Sequence, residues 1–370
     1  MEDKLKDFSS FYLSSIASRL AICMGICMKK SKLKKNLIRI GFAGLFLVTL
    51  YFAVSILRIK SEHGVNQKAG LYVQPKNSID VVMMGTSHVH CDINTGLLWE
   101  KYGIAAYDYS GAEQPLWMTY YYLKELYKYQ NPQVIVLDMY APARFKEDYQ
   151  YDFIAENIYG MRFSLNKMQM LSASVEPAKL HNYFPSFAVY HSRYDDLEEE
   201  DFQSFLWDNK EKEAFKGYTP YWDTKPQTRP GFSEDRNDGL TPKSEKYLKK
   251  IIALAKKKGS DLVLIVSPYV AIAEDQRTYN RITEIAAENG LIFINYNEYY
   301  DGIGLDFEKD FNDESHLNYW GSCKFTEYLG AFLDSYDRVP DRRGQKGYES
   351  WDDNVKMIYE ELQKYEDENS

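Results

Sequence analysis

Residues 79–92 read IDVVMMGTSHVHCD, an apolar run that enters Gly85-Thr86-Ser87-His88 and then a short helical pattern. A serine directly after a buried strand, with a glycine two residues before it, sits on a tight turn with its hydroxyl at the carboxyl edge of the sheet. A nucleophile belongs there. The same Gly-x-Ser is also a plain turn whose serine opens the next helix, and taken alone that reading is the commoner one.

Outward from this stretch, short apolar runs alternate with helical patterns. A helix is expected around Asn94–Tyr102, and GIAAYDYS (103–110) reads as a second strand ending at Ser110-Gly111. In EQPLWMTYYYLKELYKYQ (113–130), Leu116, Tyr120, Leu123, Leu126 and Tyr127 recur at helical spacing. A third strand is QVIVLDMY (133–140). The rhythm resumes with a helix over 243–259, the strand DLVLIVSPY (261–269), a helix over Glu274–Asn289 and the strand LIFINY (291–296). Strands separated by helices imply right-handed crossovers, so the pattern predicts an α/β domain over 79–335 on a five-stranded parallel sheet.

Residues 141–237 interrupt the alternation with aromatic and polar stretches and read as a largely helical insertion over the carboxyl edge, where substrate loops are expected. Its acidic run, Asp195–Asp201, reads as a solvated helix face. Residues 60–78 read as a stalk. The charged tail, 336–370, reads as peripheral, with one helix around Asp353–Tyr365.

The formal net charge is -9, and outside the N-terminal region there is no basic stripe to follow a phosphate backbone, which argues against nucleic acid as a partner. The four cysteines, Cys23, Cys27, Cys91 and Cys323, form neither a paired metal-ligand pattern nor a disulfide framework. Cys91 and Cys323 follow the two stretches of catalytic interest, so a bridge between them is one reading; two small buried hydrophobes is the more frequent one.

Ile40–Leu57, IGFAGLFLVTLYFAVSIL, carries no charged side chain, and about 18 such residues is the minimum for a membrane span. Lys29, Lys30, Lys32, Lys34, Lys35 and Arg39 precede it, whereas Arg58 and Lys60 follow. By the positive-inside rule, residues 1–36 stay in the cytoplasm, 37–59 span the membrane once, and the remainder is extracytoplasmic. No small-residue cleavage site follows the apolar run, which favours an uncleaved anchor. Residues 1–27 read either as an interfacial helix or as sequence ahead of a start at Met28.

The loop before the last helix, DFEKDFNDESHLN (306–318), holds Asp313 three residues before His316. One turn can present both side chains together, the carboxylate on the ring Nδ1 and Nε2 turned toward a nucleophile. Asp-x-x-His alone is commonplace. A serine after the first strand, a glycine after the second and Asp-x-x-His before the final helix are placed to meet at one sheet edge.

With these motifs the sequence resembles the SGNH (GDSL-like) hydrolases, in particular the membrane-anchored, extracytoplasmic branch that acylates bacterial surface polymers and contains the teichoic-acid D-alanylation protein. The resemblance covers about residues 79–335. It implies a flavodoxin-like three-layer α/β/α domain in which GTSH supplies Ser87 as nucleophile, SGAEQP supplies Gly111 as an oxyanion donor beside the Ser87 N–H, and DESH supplies Asp313 and His316. The family's Gly-x-Asn-Asp block is missing, since VLDMYAP (136–142) stands in its place. Gln114 is a candidate replacement for the lost amide donor, with a helix-start glutamine as the alternative.

The implied chemistry is transfer of a small acyl group, O-acetyl or D-alanyl, through an acyl-Ser87 intermediate to water or to a sugar hydroxyl. It takes no cofactor and no metal. The expected partners are the membrane, a cell-envelope polysaccharide or teichoic acid, and an acyl-supplying transmembrane protein. His88, Asp138, Tyr140 and Arg193 are weaker candidates for lining the substrate site. His88 and His90 read either as acyl-pocket residues or as turn or surface histidines, and His191 lies with Arg193 in the insertion, where Arg193 reads as a contact to an anionic polymer or as a salt bridge to Asp195 or Asp196. A noncatalytic polymer- or carrier-binding assembly factor and a lipid esterase or thioesterase are the rival functions.

Overall fold

The structure is a computed structural model and describes residues 32–58, 63–184, 191–198, 201–202, 215–231 and 239–370. The segment before Met28 and residues 199–200 of the acidic run lie outside the described residues. The chain divides into Met1–Leu57 with Glu198–Phe205, and Arg58–Leu197 with Leu206–Ser370.

In the first unit, helix α1 covers Lys32–Leu57. From Lys35 to Leu57, 23 residues, it is long and apolar enough to cross a membrane, and none of that window is buried. Its Thr49 and Ser55 hydroxyls donate one turn back, to the Leu45 and Tyr51 carbonyls at 3.0 and 2.8 Å, and so need no outside partner.

The second unit is built on five parallel strands: β1 (Val81–Met84), β2 (Ala106–Asp108), β3 (Val134–Asp138), β4 (Asp261–Val266) and β5 (Ile292–Asn295). Their order is β2-β1-β3-β4-β5, with Val81 beside both Ala106 and Val134. The chain therefore steps from β1 to β2, then back past β1 to β3. The crevice at that reversal, outside the strand ends, is where α/β sheets bind ligands.

Alternation along the strands divides the core. Val82, Met84, Ile135, Leu137, Leu262 and Leu264 face one way, against helices α4 (Leu116–Leu126), α5 (Pro242–Lys258) and α6 (Ala273–Asn289). Val81, Met83, Val134, Val136, Val263 and Ile265 face the other, with Leu98 from α3 (Thr95–Tyr102) and Phe325, Leu329 and Leu333 from α7 (Tyr319–Asp334). Both faces are covered, which is why the strands read as continuous apolar runs. The helix ends follow local chemistry: Thr241 caps α5 by accepting the Ser244 N–H, Pro242 occupies its first turn, and Gly259 closes it at φ 78°.

Three expectations are corrected. Residues 63–78 are not a stalk but part of the domain. Leu71 is buried, Gln67 donates to the Gly217 carbonyl at 3.0 Å, and its own carbonyl accepts the Tyr107 hydroxyl at 3.0 Å. The segment looks polar because its side chains replace water with backbone partners.

Among the described residues, the insertion is helical in parts rather than throughout. Ile154–Tyr159 and Leu165–Ser174 are helices, and Asn166 ties the second to the Tyr121 carbonyl of α4 at 2.9 Å, on the flank of the sheet. Residues 218–231 carry no helix; the segment exchanges backbone hydrogen bonds with His90, Tyr319 and Phe311.

The tail is not peripheral. Helix α8 (Glu349–Glu368) buries Trp351 fully, 6.0 Å from the Trp99 ring, with its indole N–H on the Ala106 carbonyl at 3.1 Å. Arg342 forks onto buried Asp80 at 2.7 and 2.9 Å. One tryptophan in a charged tail carries no periodicity that announces a core contact.

Candidate active site

The turn after β1 is shaped by Gly85 at φ 153°, where a Cβ would lie 2.8 Å from the Asp138 Cβ. No side chain fits there, so β1 and β3 approach closely and the chain turns at once into helix α2 (Ser87–Asp92). Thr86 caps that helix, accepting the His88 N–H at 3.4 Å. Ser87 is its first residue, so its N–H is among those a helix cannot satisfy internally.

Ser87 Oγ lies 2.8 Å from His316 Nε2. On the other side of the ring, Nδ1 is 2.9 and 3.1 Å from the two Asp313 carboxylate oxygens. The Asp313 carboxylate also accepts the Ser315 and His316 backbone N–H groups at 2.8 and 3.0 Å and the Asn312 amide at 2.9 Å. Burial opposes its ionisation, but the hydrogen bond and charge of His316 and these N–H donors outweigh it and hold the carboxyl well below the usual range. The two halves of the site are tied by buried Asp92 at the far end of α2, whose Oδ1 accepts the Leu317 N–H at 3.0 Å.

Aromatic rings surround His316. Tyr221 and His88 meet it edge-on with centroids 5.4 and 5.5 Å away, and Tyr140 stacks on His88 at 3.7 Å. The Tyr140 hydroxyl is 3.3 Å from Ser315 Oγ. His88 is fully buried, its ring nitrogens have no hydrogen-bond partner among the described residues, and burial pushes its pKa well below the ordinary value, so the ring is neutral.

The expected oxyanion donors are engaged elsewhere. The Gly111 N–H donates to the Gly85 carbonyl at 3.3 Å, and Lys68 Nζ donates to the Ser110 carbonyl of the same peptide. A Cβ on Gly111 would sit 2.3 Å from Asn157 Oδ1 and 2.5 Å from Lys68 Nζ. Gln114 is fully buried and spends an amide hydrogen on Thr119 Oγ1 at 2.8 Å. Of the three candidates, the Ser87 N–H alone stands at a helix start beside the hydroxyl.

Asp138 stitches loops rather than facing the Ser87 hydroxyl: its oxygens accept the Tyr140 and Ser267 N–H groups, each at 2.9 Å, and burial raises its pKa to about 6. Arg193 donates to the Arg58 carbonyl at 2.7 Å. The His191 side chain lies outside the described residues. Cys91 and Cys323 are unpaired thiols.

Sequence reasoning missed Tyr221, Lys68 and Asp92, whose roles depend on contacts far along the chain. Asn312, next to Asp313, was legible in principle. It also missed that Cys91 lies with His63 and His90, the ligating atoms of all three within 4.8 Å of one another. No family model matches the chain, and no curated protein matches it.

Proposed function

We propose that this protein is an SGNH-type serine acyl esterase or acyltransferase, anchored by α1 with its domain outside the cytoplasm, that acts on O-acetyl or D-alanyl groups of a cell-envelope polysaccharide or teichoic acid. The observation that carries the reading is the aligned Ser87–His316–Asp313 chain at 2.8 and 2.9 Å, at the crevice where the strand order reverses. The order β2-β1-β3-β4-β5 is that of flavodoxin-like sheets, in keeping with the family resemblance.

In this reading His316 Nε2 takes the Ser87 proton as Oγ attacks the acyl carbonyl, and Asp313 stabilises the imidazolium. The C–O bond to the leaving alcohol breaks as His316 returns the proton to it. Water or a sugar hydroxyl then releases the acyl group by the same steps in reverse roles. The Ser87 N–H supports the oxyanion.

Labelling of the wild-type protein by a fluorophosphonate and, separately, hydrolysis of p-nitrophenyl acetate by the unlabelled protein test this. Ser87→Ala abolishes both; retention of either in the variant sinks the assignment. A second reading is favoured by one observation, the engagement of Gly111 and Gln114. Loss of an oxyanion donor costs about 10²- to 10³-fold in rate, so a cleft that binds polymer without turning it over is the alternative. Glycan binding by a wild-type protein that fluorophosphonate fails to label would select it.

A further inference from the structure

His63, His90 and Cys91 form a second cluster of reactive side chains, one the Ser87 chemistry does not use. His63 Nδ1 and His90 Nε2 are 3.3 Å apart, and Cys91 Sγ lies within 4.8 Å of a ring nitrogen of each. His90 and Cys91 are fully buried.

His90 and Cys91 each have an outer partner. His90 Nδ1 is 2.9 Å from Ser110 Oγ, which fixes the ring with Nε2 turned to His63. The Tyr221 hydroxyl hydrogen-bonds the Cys91 thiol, and the Tyr221 ring lies 5.9 Å from the His63 ring.

A simple imidazole pair accounts for the first distance but not for a thiol held by a phenol at the same point. Metal-ligating residues characteristically carry such outer hydrogen bonds, on the nitrogen or sulfur not facing the ion. The dimensions also fit. Zn–N bonds of about 2.0–2.1 Å and a Zn–S bond of about 2.3 Å set tetrahedral N···N and N···S separations of about 3.3 and 3.6 Å. The two nitrogens already stand at that spacing, and the sulfur closes by no more than about 1.2 Å.

We propose that His63, His90 and Cys91 bind one zinc ion, with solvent in the fourth position. Two imidazoles and a thiolate select a borderline-soft ion over magnesium or calcium, which take oxygen ligands. Binding releases the Cys91 thiol proton to solvent. The ion would pin His63 to α2, whose first residue is Ser87.

The full chain in detergent, stripped with chelator and titrated with zinc chloride and separately with cobalt chloride, tests this. One zinc per chain is expected, and the cobalt form shows a thiolate-to-metal charge-transfer band that Cys91→Ser removes. His63→Ala, at a partly exposed position, keeps its far-ultraviolet circular dichroism and weakens zinc binding by more than about 100-fold, beyond the cost of losing an outer partner. Ser87→Ala binds zinc as wild type does, so failure of this site and failure of the acyl-transfer reading are distinguishable. Absence of the cobalt band in the wild type, or equal zinc affinity in wild type and His63→Ala, overturns the site.

Discussion

Asp138 shows how far a residue's place in the chain differs from its place in the chemistry. From the sequence it ends a strand at the active edge and reads as a substrate contact. In the structure its Cβ fills the space left by Gly85, and its carboxylate binds the N–H groups that begin two loops. Burial raises its pKa to about 6, so the protonated form favours the folded state. Its contribution is therefore complete below the unfolded value of about 4 and declines as pH rises through about 6, by on the order of 3 kcal/mol. Asp138→Asn does not titrate and places an amide against one of the two donors, so it is less stable than wild type at pH 4. The gap in thermal midpoint between the two is expected to narrow from pH 4 to pH 7; a constant gap would refute this account. Ser87, Asp313 and His316 were legible because their spacing relates directly to strand ends and turns. His63 was not, because nothing local marks it as a neighbour of His90.

Helix α2 is six residues long and is held at both ends, by the Gly85 turn and by the bond from Asp92 to the Leu317 N–H. A helix this short has little stability of its own, so its position depends on those two ties. Asp92→Ala leaves a buried N–H without its acceptor, costing about 1–3 kcal/mol, and releases the loop that aims His316. The expected result is a fall of about 10²-fold in the rate of Ser87 labelling, since displacements near 1 Å carry that cost. Asp92→Asn, which retains an acceptor, restores most of it; equal rates in all three proteins would show that the tie does not position the site. At this scale the strands were the most legible elements, because runs such as Val134–Asp138 are buried on both faces. Residues 218–231 were the least legible, since their hydrogen bonds go to distant backbone and leave no periodic pattern.

The chain carries, ahead of its α/β domain, a helix whose stretch Ile40–Leu57 has no charged side chain and which is long and apolar enough to cross a membrane. Deletion of residues 1–57 is expected to move the protein from the alkali-resistant membrane fraction to the soluble fraction; retention in the pellet would contradict the anchor. The five-stranded sheet was legible at this scale, while the packing of the tail was not, because Trp351 reaches across 245 residues to Ala106. That contact has a consequence for solubility. Strand β2 lies at the sheet margin, where unpaired backbone groups template association with other chains. Its outward Ala106 carbonyl is taken by the Trp351 indole, and its Asp108 N–H by the Lys216 carbonyl at 2.9 Å. The C-terminal helix is thereby placed to guard against strand-to-strand aggregation, and residues 58–348 are expected to self-associate with rising concentration in sedimentation velocity, where residues 58–370 do not.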